Sequence, residues 1–237
     1  MSRKTENRLE DIADAAVACF TGMGIKRTQM VDIARAAHVS AGTLYLYVTS
    51  KEALFHLAIL RVCDRPIGKL TLPLANPGVA KTAAVVTARI DEVAILPSLR
   101  NALKPDTQPD VTRLAAIGGE LYDILHDARR AIWLLDRCGP EIPELDRLHA
   151  EAIRGRYRDD LAAVALKVAG GTGEPSPDLR LAARLANESI AFASMHRFRE
   201  SPAHAIGGLS ETQARAVATQ SFTAILMATA NRDQAGL

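Results

Sequence analysis

The chain has 237 residues, 48% hydrophobic and 24% charged, with only 4% aromatic residues and a formal net charge of +2. Such a chain is long enough for one or two globular domains with an aliphatic core, a composition that favours helices. It has no apolar run approaching a membrane span, and residues 1–30 lack a signal-peptide pattern. Three scattered cysteines (Cys19, Cys63, Cys138) have neither disulfide-framework nor zinc-site spacing, so a cytoplasmic protein without a membrane partner or a metal is expected.

Residues 1–65 carry nine Lys or Arg against seven Asp or Glu, so the whole positive excess lies in this segment. Within it, Leu9, Ile12, Ala13, Ala16 and Phe20 recur at helical spacing and predict a helix over 6–22, capped by Thr5 and stopped by Gly22 and Gly24. A second helix is expected over 29–37 with Thr28 as its cap, a third over 41–47 capped by Ser40, and a fourth over 50–63. Thr49-Ser50-Lys51-Glu52 reads as a capping box for the fourth. Only His38-Val39-Ser40 separates helices two and three, so they must cross steeply, as in a helix-turn-helix. The third helix then turns Leu44 inward and presents Ala41, Gly42, Thr43, Tyr45 and Tyr47. Small residues at its start allow close approach to a major groove. Thr43 suits a base edge or thymine methyl, and the tyrosines suit phosphates or bases. Thr28 and Lys51, at the starts of helices two and four, suit phosphate.

The stretch from Thr28 to Leu54 resembles the DNA-binding signature of the TetR family of transcriptional regulators. It has Thr28, Asp32-Ile33-Ala34, Val39-Ser40-Ala41-Gly42-Thr43-Leu44-Tyr45-Leu46-Tyr47 and Ser50-Lys51-Glu52-Ala53-Leu54 at matching spacings. The resemblance implies a helix-turn-helix domain over 1–64 that contacts double-stranded DNA through Arg27, Thr28, Gln29, Ser40, Ala41, Gly42, Thr43, Tyr45, Tyr47, Thr49 and Lys51. This chain departs from the family pattern at His38, where glycine is usual and positive φ is needed, and at Val48, where phenylalanine is usual. The second departure reduces the apolar area between helices three and four.

Beyond an irregular connection over 66–78, residues 65–237 read as helical, giving an all-α fold. Candidate helices are 79–96, 110–117, 119–138, 143–169, 178–199 and 210–231, separated by proline and glycine breakers such as Pro97, Gly139-Pro140 and Gly170-Gly171. The resemblance implies that this half is an effector-binding and dimerisation domain, with the last two helices packing on those of a second copy. Leu181, Leu185, Ile190, Phe192 and Met195 on one, and Ala214, Val217, Ala218, Phe222, Ile225 and Leu226 on the other, supply apolar stripes. It further implies a small apolar or amphipathic effector and no resident cofactor. Tyr122, His126, Arg130, Trp133, Phe192, Met195 and His196 are candidate ligand contacts, and core packing or a solvated face is the competing reading for each. No P-loop, GxGxxG, HExxH or GxSxG motif occurs, so no enzymatic activity is expected. The reading that follows is a ligand-responsive repressor binding a near-palindromic operator as a homodimer. A helical sensor or interaction module of the same fold, without operator binding, is the alternative.

Overall fold

The computed structural model describes residues 3–151 and 157–234. The described residues form eleven α-helices: α1 Arg3–Met23, α2 Met30–Ala36, α3 Ala41–Leu44, α4 Lys51–Val62, α5 Val79–Val93, α6 Pro97–Ala102, α7 Val111–Cys138, α8 Pro143–His149, α9 Arg158–Val168, α10 Pro177–Ser194 and α11 Glu211–Gln234. No helix among them is long and apolar enough to cross a membrane. The three cysteines are free, and burial pushes the thiols of Cys63 and Cys138 up to about 11 and about 12.

Several boundaries differ from the sequence expectation. Thr5 lies inside α1 rather than capping it. Pro97 opens α6 instead of ending α5, because proline at the first helical position loses no hydrogen bond. Gly118 and Gly119 do not interrupt α7. A Cβ on Gly118 would sit 2.9 Å from the Phe222 ring, so its absence lets α11 approach. The span 143–169 holds two helices, α8 and α9, and residues 152–156 between them lie outside the described residues. Helix α10 ends at Ser194, and His196–Arg199 form a separate 3-10 turn.

The chain forms two compact units, one of Met1–Val93 with Arg130–Arg154, the other of Ala94–Arg129 with Gly155–Leu237. In the first, Leu9, Ile12, Phe20, Ile33, Leu44, Leu54 and Leu57 make a core in which Phe20 and Phe55 meet edge to face at 5.5 Å. Compactness adds α5, α8 and residues 130–138 of α7 to the helix-turn-helix segment over 1–64. Hydrogen bonds hold the additions. Arg130 donates to Asp14 at 2.7 Å, Arg137 donates to the Met23 carbonyl at 2.8 Å, and Glu141 accepts from the Lys26 N–H at 2.7 Å. In the second unit Leu114, Ile117, Leu121, Tyr122, Leu161, Ala183, Ile190, Phe222 and Leu226 form one cluster between α7, α9, α10 and α11.

Helix α5 is tied to α4 by a buried hydrogen bond. Thr82 Oγ1 donates to the Gly78 carbonyl at 3.1 Å, so it accepts the His56 Nδ1 proton across 3.0 Å. Desolvation lowers the His56 pKa below its ordinary 6.5. The neutral ring's stabilisation is therefore present above pH 6.5 and is lost as pH falls from there through the lowered folded value. His56→Asn retains a donor but cannot titrate. The stability gap between wild type and this variant, from thermal midpoints between pH 8 and 5, should narrow on acidification, and a constant gap would count against the assignment.

Candidate nucleic-acid interface

Helix α2 begins at Gln29, whose N–H donates to the Asp32 carboxylate at 3.0 Å. Thr28 therefore does not cap it. Thr28 is fully buried, and its hydroxyl donates to the Gly24 carbonyl at 2.6 Å, closing the turn after α1. Arg27 and Gln29 are exposed on either side, with Arg27 Nε donating to the Met23 carbonyl at 3.0 Å.

The end of α2 is a Schellman motif: the Val39 N–H reaches the Ala34 carbonyl at 2.9 Å and the His38 N–H reaches that of Arg35 at 3.1 Å. The motif needs a left-handed residue, and His38 occupies it at φ +54°. Ser40 then caps α3, its Oγ accepting from the Thr43 N–H at 3.0 Å and sharing a 2.8 Å hydrogen bond with Thr43 Oγ1.

The expected third helix over 41–47 is α-helical only for Ala41–Leu44. It tightens into i→i+3 bonds, Leu46 N–H to the Thr43 carbonyl and Tyr47 N–H to that of Leu44. Leu44 and Val48 are fully buried and root this turn. Ala41, Gly42, Tyr45 and Leu46 are exposed, Thr43 and Tyr47 half-buried. Leu46, 69% exposed, is the feature missed in the sequence. It stands about 200° around the turn from Leu44, so angular position alone would have placed it outward. Gly42 is informative because the fold does not require it. An added Cβ would meet only Ser40 Oγ, at 3.8 Å, so internal packing leaves room for a side chain at this position.

Helix α4 is capped by Ser50, which accepts from the Ala53 N–H at 3.2 Å, and not by Thr49. Glu52, in its first turn, is held below the usual carboxylate range by hydrogen bonds from its own backbone N–H and from Ser50. Lys51 is half-buried beside this helix start. The Thr49 hydroxyl instead donates to the Leu74 carbonyl at 3.3 Å. The surface thus brings together Ser40, Ala41, Gly42, Thr43, Tyr45, Leu46, Tyr47, Thr49 and Lys51 around one tight turn, and it leaves the Thr28 side chain inside.

The candidate ligand residues divide between the units. Arg130 and Trp133 lie in the first, where Arg130 is bound to Asp14. Arg61 also holds Asp14, through two bonds of 3.2 and 2.8 Å. That pairing, with the Arg130 bond added, keeps its carboxyl below the ordinary range despite desolvation. Tyr122, His126, Phe192, Met195 and His196 lie in the second. Buried Tyr122 donates to Glu211, which also meets Arg197, and His126 Nδ1 approaches Glu211 at 3.0 Å. Desolvation and the Glu211 charge push the Tyr122 hydroxyl up. Desolvation also pushes Glu211 up, but the bonds from Tyr122 and Arg197 with the His126 contribution outweigh it, leaving Glu211 low. Phe192 is exposed and Met195 buried. A separate open groove of about 610 Å³, lined by Val111, Ala115, Thr219, Thr223, Ala224, Met227 and neighbours, includes none of these seven residues.

A short turn held by buried leucine and valine, with small and aromatic residues outside and a capped helix beside it, has the geometry of a helix-turn-helix. Residues 12–58 match the tetR family of bacterial regulatory proteins. The fold is similar to that of a TetR-like transcriptional regulator from Rhodococcus sp., with 19% identity, 92% of this chain and 94% of that chain covered, and a TM-score of 0.50. A putative TetR-family transcriptional regulator from Mesorhizobium loti aligns at 21% identity over 96% of this chain and 98% of that chain, with a TM-score of 0.44. Residues 12–58 thus match the tetR-family model, and the chain as a whole shares its fold with the Rhodococcus regulator.

The left-handed residue of the Schellman turn gives a direct check on this geometry. His38→Val should cost about 1–2 kcal/mol in urea unfolding, because a β-branched residue resists positive φ. His38→Gly should be neutral or stabilising by up to about 1 kcal/mol. The reverse order would contradict the turn conformation.

Proposed function

We propose that the protein is a cytoplasmic, ligand-responsive repressor that binds a near-palindromic operator as a homodimer. The observation carrying the DNA reading is the exposed turn Ala41–Tyr47, with a glycine at position 42 that internal packing does not need. Thr43 and Tyr45 would meet base edges, and Leu46 would meet sugars or thymine methyls. Arg27, Gln29, Thr49 and Lys51 would hold phosphates. Two heads would reach successive major grooves about 34–36 Å apart.

Support for a dimer comes from α10 and α11. Ile190, Met195, Ala214, Ala218, Phe222 and Leu226 of the two stripes are core, but Leu181, Leu185, Phe192 and Val217 stay 43–59% exposed. Exposed Ala228, on the face of Val217 and outside the groove beside α11, allows a second helix pair to approach closely. An apolar face of this kind on a soluble helix pair marks an interaction surface. The effector would be a small apolar or amphipathic molecule. The groove beside α11 has the volume of a small-molecule site and largely apolar walls, and the Tyr122, His126, Phe192, Met195 and His196 region supplies a second candidate. To release DNA, the effector must prefer the state that binds operator poorly. Repression rather than activation rests on family analogy.

Two experiments test this reading. In gel-shift titrations against a duplex selected by the wild-type protein, Tyr45→Ala should weaken binding by about 1–3 kcal/mol without changing the thermal midpoint. Lys51→Ala should weaken selected and scrambled duplexes alike and reduce the salt slope by about 1; unaltered binding in both variants would sink the assigned face. For the assembly, light scattering should report a dimer for the wild type and a monomer for Leu185→Asp/Val217→Asp. A monomeric wild type at micromolar concentration would rule out the paired-head geometry.

A further inference from the structure

The connection over 66–78 reads in the sequence as irregular, but the structure gives it a defined course. Helix α4 is about 18 Å long and ends in its own Schellman motif, with Asp64 at φ +54° and the Arg65 N–H on the Leu60 carbonyl at 2.9 Å. The chain then returns to the other end of α4. There the Leu74 N–H donates to the Tyr47 carbonyl at 2.7 Å, and the Thr49 N–H donates to the Leu74 carbonyl at 3.0 Å. Val48 and Leu74 form an isolated parallel bridge, and the Thr49 hydroxyl adds a third bond to the Leu74 carbonyl. The segment continues through Gly78 into α5, which Thr82 and His56 lock to α4.

This bridge grips the chain one residue either side of Val48, directly after the exposed turn. That turn has one α-helical turn and then looser i→i+3 bonds, so it cannot hold its own direction as a longer helix would. The apolar key at its end is only a valine. Alternation along the bridge puts Val48 on the buried side, with half-buried Leu74, and puts Thr49, Pro73 and Ala75 on the exposed side with Tyr47. Residues 72–76 carry no charged side chain that would bind phosphate. Resting on the DNA-binding reading above, we infer that residues 72–76 are a positioning strap: their bridge to Tyr47 and Thr49 sets the pitch of the reading turn and thereby its sequence selectivity. The strap supplies the orientation that a larger residue at position 48 would otherwise key by packing, and it links the reading turn to the start of α5 by four residues.

The test uses the full-length protein, a duplex selected by the wild type from a random-sequence pool, and a scrambled duplex of equal length. Leu74→Pro removes the N–H donor to Tyr47 and leaves the exposed side chains of the reading turn intact. Leu74→Ala keeps the donor. The expected result is a tenfold or greater loss of affinity for the selected duplex in Leu74→Pro, with scrambled-duplex affinity and salt slope within twofold of wild type. Leu74→Ala should stay within threefold on both, and hydrogen-exchange protection of the Thr49 amide should be lost in Leu74→Pro alone. An equal loss on both duplexes would make the segment a phosphate contact. Full selectivity with Thr49 protection lost would make the bridge irrelevant to reading. Either result overturns the proposal. If circular dichroism shows Leu74→Pro unfolded, Pro73→Gly/Leu74→Gly, which slackens the strap while retaining the Leu74 donor, is measured against the same outcomes with a threefold selective loss expected. If the wild type selects no sequence, the DNA-binding reading fails by itself. The strap is then judged on Thr49 exchange, and an unprotected amide in the wild type overturns it.

Discussion

The exposed turn Ala41–Tyr47 depends on the burial of Leu44. A helix of four residues makes too few internal bonds to persist alone, so its position comes from the side chain that plugs it into the core. Full removal of a leucine side chain from water contributes on the order of 2 kcal/mol, enough to choose one orientation for so short an element. Once Leu44 points in, helical geometry leaves Ala41, Gly42, Tyr45 and Leu46 outside. Ser40 and the His38 turn set where the element starts, and Val48 with the Leu74 bridge sets where it stops.

The elements around this turn are held from several directions. Asp14 of α1 receives Arg61 from α4 and Arg130 from α7. Both pairs are partly exposed, so their value is more in fixing direction than in stability. Arg137 and Glu141 grip the end of α1 and the turn after it. Residues 130–141, remote in sequence from the helix-turn-helix, are therefore structural parts of the first unit.

The α10–α11 pair carries apolar residues on both a buried and an exposed face. Phe222 and Leu226 fill the core of the second unit, and Gly118 makes room for the Phe222 ring. Leu185 and Val217, from the same helices, remain outside. A periodic apolar pattern in sequence cannot separate these faces, because both satisfy helical spacing.

Local chemistry made much of this protein legible from its residues alone. The all-α class, the four N-terminal helices, the Ser40 cap, the inward Leu44 and the positive φ at His38 follow from periodicity, capping and the sterics of a tight turn, all of which act over a few residues. Other features needed the folded chain. Thr28 yields its cap to Gln29 because its hydroxyl finds the Gly24 carbonyl, and Thr49 yields to Ser50 while its own N–H and hydroxyl find Leu74. Gly118 and Gly119 stay helical because α11 needs the space, and the connection over 66–78 acquires its course from a bridge to a segment some 25 residues earlier. Except at Thr28, whose partner Gly24 lies four residues away, the deciding partner is distant in sequence, and a hydrogen bond or close approach across the fold outweighs a local preference of about 1 kcal/mol or less.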